Sequence, residues 1–166
     1  VDTLIIRRPN SDGHVKMDDW DGDVEDKITE IWEQLRAGLV VQSKKVGQKI
    51  ELDEWKVYPT LDKEAATLHY AITTKWDGVP STNIKVIKFD REGFIKLAIV
   101  PTKEGLSSSS IKDIVDDVTS SYTPNTKQSY FDFKSGDKVA AVGALGVLAG
   151  VLGVKYGKAA AAGFFA

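Results

Sequence analysis

NIKVIKFDREGFIKLAIV, Asn83 to Val100, is the stretch that decides the fold. Two β-rich arms, NIKVIKFD and GFIKLAIV, flank DREG, and aspartate and glycine are turn formers, so the stretch reads as a hairpin. The same pattern extends upstream. ATLHYAITT alternates Leu68, Tyr70 and Ile72 with Thr67, His69 and Ala71, the period of a strand. ELDEWKVYP sets Leu52 and Tyr58 on one face and Trp55 and Val57 on the other. TLIIRRP and HVKM are two further short strand candidates around the turn-rich NSDG.

Two segments change period. Val24, Ile28, Ile31, Trp32, Leu35 and Leu39 recur at helical spacing. Asp21 or Asp23 can cap the first turn, and Asp23, Glu25 and Asp26 suit its positive end. A helix is expected from about Val24 to Lys45. SSSSIKDIVDDV opens a second helix, with Ser110 and Asp113 as a capping box and Ile111, Ile114, Val115 and Val118 as its apolar stripe. Strands in series with two amphipathic helices predict an α+β domain over residues 1–121, an antiparallel sheet with the helices against one face.

The chain has 166 residues, enough for one domain and a tail. Its net charge of −2 gives no reason to expect nucleic acid as a partner. It contains no cysteine, which excludes disulfides, thiol nucleophiles and thiolate metal sites. It begins at Val1 and enters a strand at once, and KYGKAAAAGFFA stops while still apolar. Both ends are expected to be cut or processed.

Residues 122–138 read as a polar linker, and residues 139–166 as an apolar membrane helix. Val139–Val154 is uncharged, and as a helix would span about 24 Å against roughly 30 Å for a bilayer core. Flanking Lys138 and Lys155 can snorkel, and Tyr130, Phe131 and Phe133 suit an interface. The run has no polar face, so in a soluble domain it would have to be enclosed on every side. Gly143, Gly146, Gly150, Gly153 and Gly157 recur at three-four spacing, which suits close helix packing in lipid, as in a glycine zipper. The expected partners are therefore membrane lipid and either a second copy of the chain or a second transmembrane helix after a bend at KYGK.

YFDFKSGDKVAAVGALGVLAG resembles the C-terminal signature of a bacterial family of uncharacterised, membrane-anchored proteins, domain of unknown function 2167. Tyr130, Asp132, Phe133, Asp137, Lys138, Val139, Ala140, Gly143 and Gly150 carry the match. Trp55, Pro59, Asp62, Leu68, Tyr70, Ala71, Asn83, Arg91 and Gly93 fit it more loosely. Two positions depart from the family pattern: Ala65 and Ala66 stand where a histidine is frequent, and Leu61 where a tyrosine is. The resemblance implies a periplasmic domain held by C-terminal helices behind an N-terminal signal sequence, and it implies no reaction.

The candidate chemistry is sparse. Asp19, Asp21, Asp23 and Glu30 have the spacing of calcium-loop ligands, but Val24 stands where that loop needs glycine. An acidic turn capping a helix is the preferred reading. His14 and His69 lack a two-histidine metal spacing. No G-x-S-x-G elbow surrounds Ser107–Ser110, and neither a phosphate loop nor a dinucleotide fingerprint occurs. The four tryptophans are read as core or rim. The expected function is a non-enzymatic, membrane-anchored binding or envelope-associated module without cofactor. The alternative is a hydrolase or metal- or ligand-binding domain in which carboxylates such as Asp19, Asp21 and Asp62 converge.

Overall fold

The computed structural model describes residues 3–9, 12–102 and 106–155. Its centre is the hairpin of β4 (Val79–Phe89) and β5 (Phe94–Val100). Asp90 sets the turn: its Oδ1 accepts the N–H groups of Glu92 and Gly93, each at 2.9 Å, the Asx geometry that favours aspartate at such corners. β2 (Ile50–Asp62) and β3 (Thr67–Trp76) precede the hairpin, and β1 (Thr3–Arg7) returns to pair with β5. The sheet order is β1-β5-β4-β3-β2, antiparallel throughout. HVKM does not become a strand; within it His14 makes one isolated bridge, to Val139.

α1 (Val24–Val46) follows its expected span. Asp23 stands at its N-cap without a side-chain capping bond and pairs instead with Lys27 at 3.1 Å. Gly47 ends it in the left-handed conformation, φ 69°, with its N–H on the Ser43 carbonyl. α2 (Ser108–Ser120) starts earlier than the Ser110 capping box predicts. Ser107 is its cap, accepting from the Ser110 N–H at 3.1 Å.

The helices lie on both faces of the sheet, not one. Leu68, Tyr70, Ile72, Ile87, Phe89 and Phe94 face Ile28 and Ile31 of α1. The alternate positions Ala71, Ile84, Val86, Ile95, Leu97 and Ile99 face Ile111 and Val115 of α2. Both faces of the central strands are therefore apolar, and each needs a helical cover.

The described part of the C-terminal run, residues 139–155, does not form the long apolar helix expected of it. Val139 bridges to His14, and the helix that follows, α3 (Ala144–Val151), has only eight residues. Ala144 through Ala149 are buried, in the same core as α1 and the sheet. Among the described residues no helix is long and apolar enough to cross a membrane. An all-round apolar helix can be enclosed here because two turns, about 12 Å, are all that must be covered.

Two of the glycines act as punctuation. Gly143 is the α3 N-cap, and a Cβ there would meet the Asp19 carboxylate at 2.4 Å. Gly153, φ 73°, stops the helix in a Schellman turn: Val154 N–H donates to the Ala149 carbonyl at 2.9 Å and Gly153 N–H to Gly150 at 3.1 Å. Gly146 lies in the buried helix, where a Cβ would press on the Val142 Cβ at 2.8 Å. Gly157 and the second transmembrane helix lie outside the described residues.

Residues 122–138 are not a free spacer. Ser129 bridges to Asp90, and the Tyr130 hydroxyl donates to the Val15 carbonyl at 2.8 Å.

Candidate functional site

The aromatic-acidic segment before α3 closes on the chain's beginning. His14 N–H donates to the Lys138 carbonyl at 2.8 Å, and Ala140 N–H returns to the His14 carbonyl at 2.9 Å. The His14 ring is 6% exposed as a residue and lies between Tyr130 and Phe133, each centroid 4.2 Å away. Its Nδ1 donates to the Arg91 carbonyl at 3.1 Å. Burial lowers the His14 pKa, partly opposed by that backbone bond. Gly13 is required beside it: its φ is 115°, and a Cβ would stand 2.7 Å from the Lys138 oxygen.

Arg91 forks onto Asp137 with bonds of 2.7 and 2.9 Å and donates to the Lys127 carbonyl. That guanidinium, helped by the Lys134 N–H, pulls the Asp137 carboxyl down to about 2. Gly13, Arg91, Glu92, Asp137 and Lys138 line a depression of about 170 Å³ there. Asp90, buried, is held by both terminal nitrogens of Arg8. Asp132 accepts from the Ser129 N–H at 3.0 Å and completes a capping box.

The signature residues Tyr130, Asp132, Phe133, Asp137 and Lys138 thus build one clasp joining residues 13–16, the β4–β5 turn and the approach to α3. The match runs over residues 3–166 with the family described as "Protein of unknown function (DUF2167)". The chain belongs to that family. No curated protein and no solved structure matches it. In this member of DUF2167 the C-terminal signature does structural work: its acids are bound to Arg91 or to backbone N–H groups, and its aromatics are stacked.

The other family-motif residues are spread over the sheet. Trp55 on β2 packs against Trp32 of α1 at 4.5 Å and edge-on to Tyr70 at 5.8 Å. Pro59 is buried on the same strand. Asp62 Oδ1 caps the next turn by accepting the Ala65 N–H at 3.0 Å. Asn83 pairs with Ile72 across β3 and β4, and Gly93 closes the hairpin turn.

The carboxylates of the proposed metal set do not converge. Asp19 caps α3, accepting the Leu145 N–H at 3.1–3.2 Å, and burial raises its pKa against that bond. Asp21 pairs with Lys63 at 2.7 Å, Asp23 with Lys27, and Glu30 accepts from Gln34 at 3.3 Å. Among the described residues no group of three or more His, Asp or Glu side chains is placed to hold a metal ion. His69 lies apart on the α2 face, half-buried, its pKa lowered first by burial and then by Lys112.

What the sequence did not mark is the β1 edge. Every residue of β1 is exposed, including Leu4 (48%), Ile5 (40%) and Ile6 (61%). One edge of the strand pairs with β5, and among the described residues no strand pairs with the other. Beside it Leu4, Ile6, Leu97, Val118 and Tyr122 line an apolar groove of about 230 Å³, with Asp117 and Ser121 at its rim. An exposed apolar edge strand is a ready template for another strand.

Proposed function

We propose that the domain is a non-catalytic binding module that takes up an extended, apolar peptide segment of a partner along β1. The observation that carries this reading is the open β1 edge with the groove beside it. Main-chain groups on the free edge would hold the segment, and alternate side chains would enter between Leu4, Ile6 and Tyr122, the usual division of labour in strand addition. Natural sheets blunt such edges with lysine, proline or a covering loop; the middle of β1 is Leu-Ile-Ile. The resemblance adds a periplasmic placement to this reading, checked by protease access to the domain in spheroplasts.

Peptide-phage selection on the full chain tests the function. Selected peptides should alternate apolar and polar residues and shift the amide signals of β1, Val118 and Tyr122. Ile6→Lys should abolish that binding while changing stability by less than about 0.5 kcal/mol, as expected at an exposed site. Peptides that bind Ile6→Lys equally well, or that map elsewhere, contradict the proposal. A dimer dissolved by Ile6→Lys would make a second copy the occupant and overturn the peptide reading.

A further inference from the structure

The opposite face of the same strands carries an unbalanced charge. Arg7 on β1 stands directly across from Lys96 on β5. Lys85 on β4 pairs with Ala98, two residues along from Lys96, so it is the diagonal neighbour on that face. Directly opposed side chains lie about 5 Å apart at Cβ and diagonal ones about 7–8 Å, and like charges so placed repel. Several cations elsewhere are paired with a carboxylate: Arg8 with Asp90, Lys27 with Asp23, Lys63 with Asp21, Lys75 with Asp53, Arg91 with Asp137 and Lys112 with Asp116. Among the described residues no carboxylate pairs with Arg7, Lys85 or Lys96. Lys85 is half-buried; burial lowers its pKa first, and Lys96 and Arg7 lower it further. This happens in a chain with more acids than bases, 24 against 22.

The three cations form a graded row. Arg7 is exposed at the sheet edge, whereas Lys96 on β5 and Lys85 on β4 are both partly covered. Tyr70 stands opposite Lys85 on β3, its hydroxyl buried without a hydrogen-bond partner. Asn83 shares the face two residues before Lys85. A flat anionic surface would meet Arg7 and miss Lys85, whereas a small anion can enter the row. A planar guanidinium fork beside two ammonium groups matches the oxygens of a phosphate group.

We infer that Arg7, Lys85 and Lys96 form a binding site for a soluble, phosphate-bearing small ligand on the β4–β5–β1 face. The site is independent of the groove, which lies on the α2 side of the sheet. The binding would neutralise a repulsion that the unliganded fold carries.

Calorimetric titration of the full chain with inorganic pyrophosphate at low ionic strength, together with thermal melts, tests it. Wild type should bind, shift the amides of β1, β4 and β5, and melt at a higher temperature with pyrophosphate present. Lys96→Gln and Lys85→Gln should weaken binding at least tenfold, while Lys63→Gln, at an exposed ion pair, should not. Unliganded Lys96→Gln should melt at or above the wild-type temperature, because it removes a like-charge contact. Arg7→Gln, at the exposed edge, gives the same test should a lysine variant fail to fold. The inference is overturned if wild type does not bind pyrophosphate, if the variants bind it as tightly, or if only vesicles containing phosphatidylglycerol bind.

Discussion

Replacing Leu148 by alanine asks whether α3 belongs to the core. Leu148 is 0% exposed and sits in the cluster that includes Ile28, Ile31, Leu68 and Phe89. A buried Leu→Ala change costs about 2–5 kcal/mol, the removed methylenes plus the cavity they leave. Both neighbours of Leu148 in α3 are also fully buried, so the site has little freedom to collapse, and about 3 kcal/mol is expected. For a chain of this size each kcal/mol moves the melting temperature by about 2–4 °C, so the shift is about 6–12 °C downward. With a urea m-value of about 2 kcal/mol/M the unfolding midpoint falls by about 1.5 M. Tryptophan fluorescence reports it, because Trp20, Trp32 and Trp55 pack against the same cluster. Val41→Ala, at an exposed position of α1, serves as the control and should cost less than about 0.5 kcal/mol. A Leu148→Ala midpoint equal to that of wild type in detergent-free buffer would refute the reasoning, since a segment outside the core carries no such cost.

Three further outcomes follow from the same contacts. Gly153→Ala must place a Cβ at φ 73° and should cost about 1–2 kcal/mol by urea unfolding; Gly13→Ala, with a backbone clash added, should cost more. Asp137 titrates lower in the fold than its ordinary 3.8, at about 2, so the unfolded chain binds its proton first. Its contribution is present above that range and lost as pH falls from about 3.8 to about 2; the difference in unfolding free energy between wild type and Asp137→Asn should shrink across that window. The lowered pKa of His14 means that the unfolded chain takes up its proton first as pH drops below 6.5. Wild type should therefore lose stability on that side, and His14→Phe should flatten the slope, leaving the share due to His69.

The sheet was legible because its information is local. Period-two alternation over Thr67–Trp76 and an Asp-x-x-Gly corner at Asp90 specify strands and turn without reference to anything distant. The α1 boundaries were legible for the same reason, through its apolar period and the Gly47 stop. The short α3 in the tail was less legible for a different reason. Small residues at three-four spacing look the same whether they admit a second helix or serve as cap and stop, and the Asp19 carboxylate that decides for the cap lies far upstream. The His14 clasp is equally non-local, since its two stacking rings arrive from beyond residue 129. Exposure of β1 depends on which strand ends up at the edge, and the Arg7–Lys96–Lys85 row depends on cross-strand register. Neither is written in the period of a single segment. The two-sided placement of helices is harder to read because alternation along a single strand suggests apolar against polar, although Ala71, Ile84 and Val86 make the second face apolar too.

The central claim is that the described part of the apolar C-terminal run, residues 139–155, closes the folded domain through α3. Hydrogen exchange on the full chain in detergent-free buffer tests it most directly, read on the amides of Val147 to Ala149. Protection equal to that of β3 and β4 is predicted, because α3 should open only when the whole core opens. Free exchange in buffer, with protection appearing only on addition of lipid micelles, would contradict it.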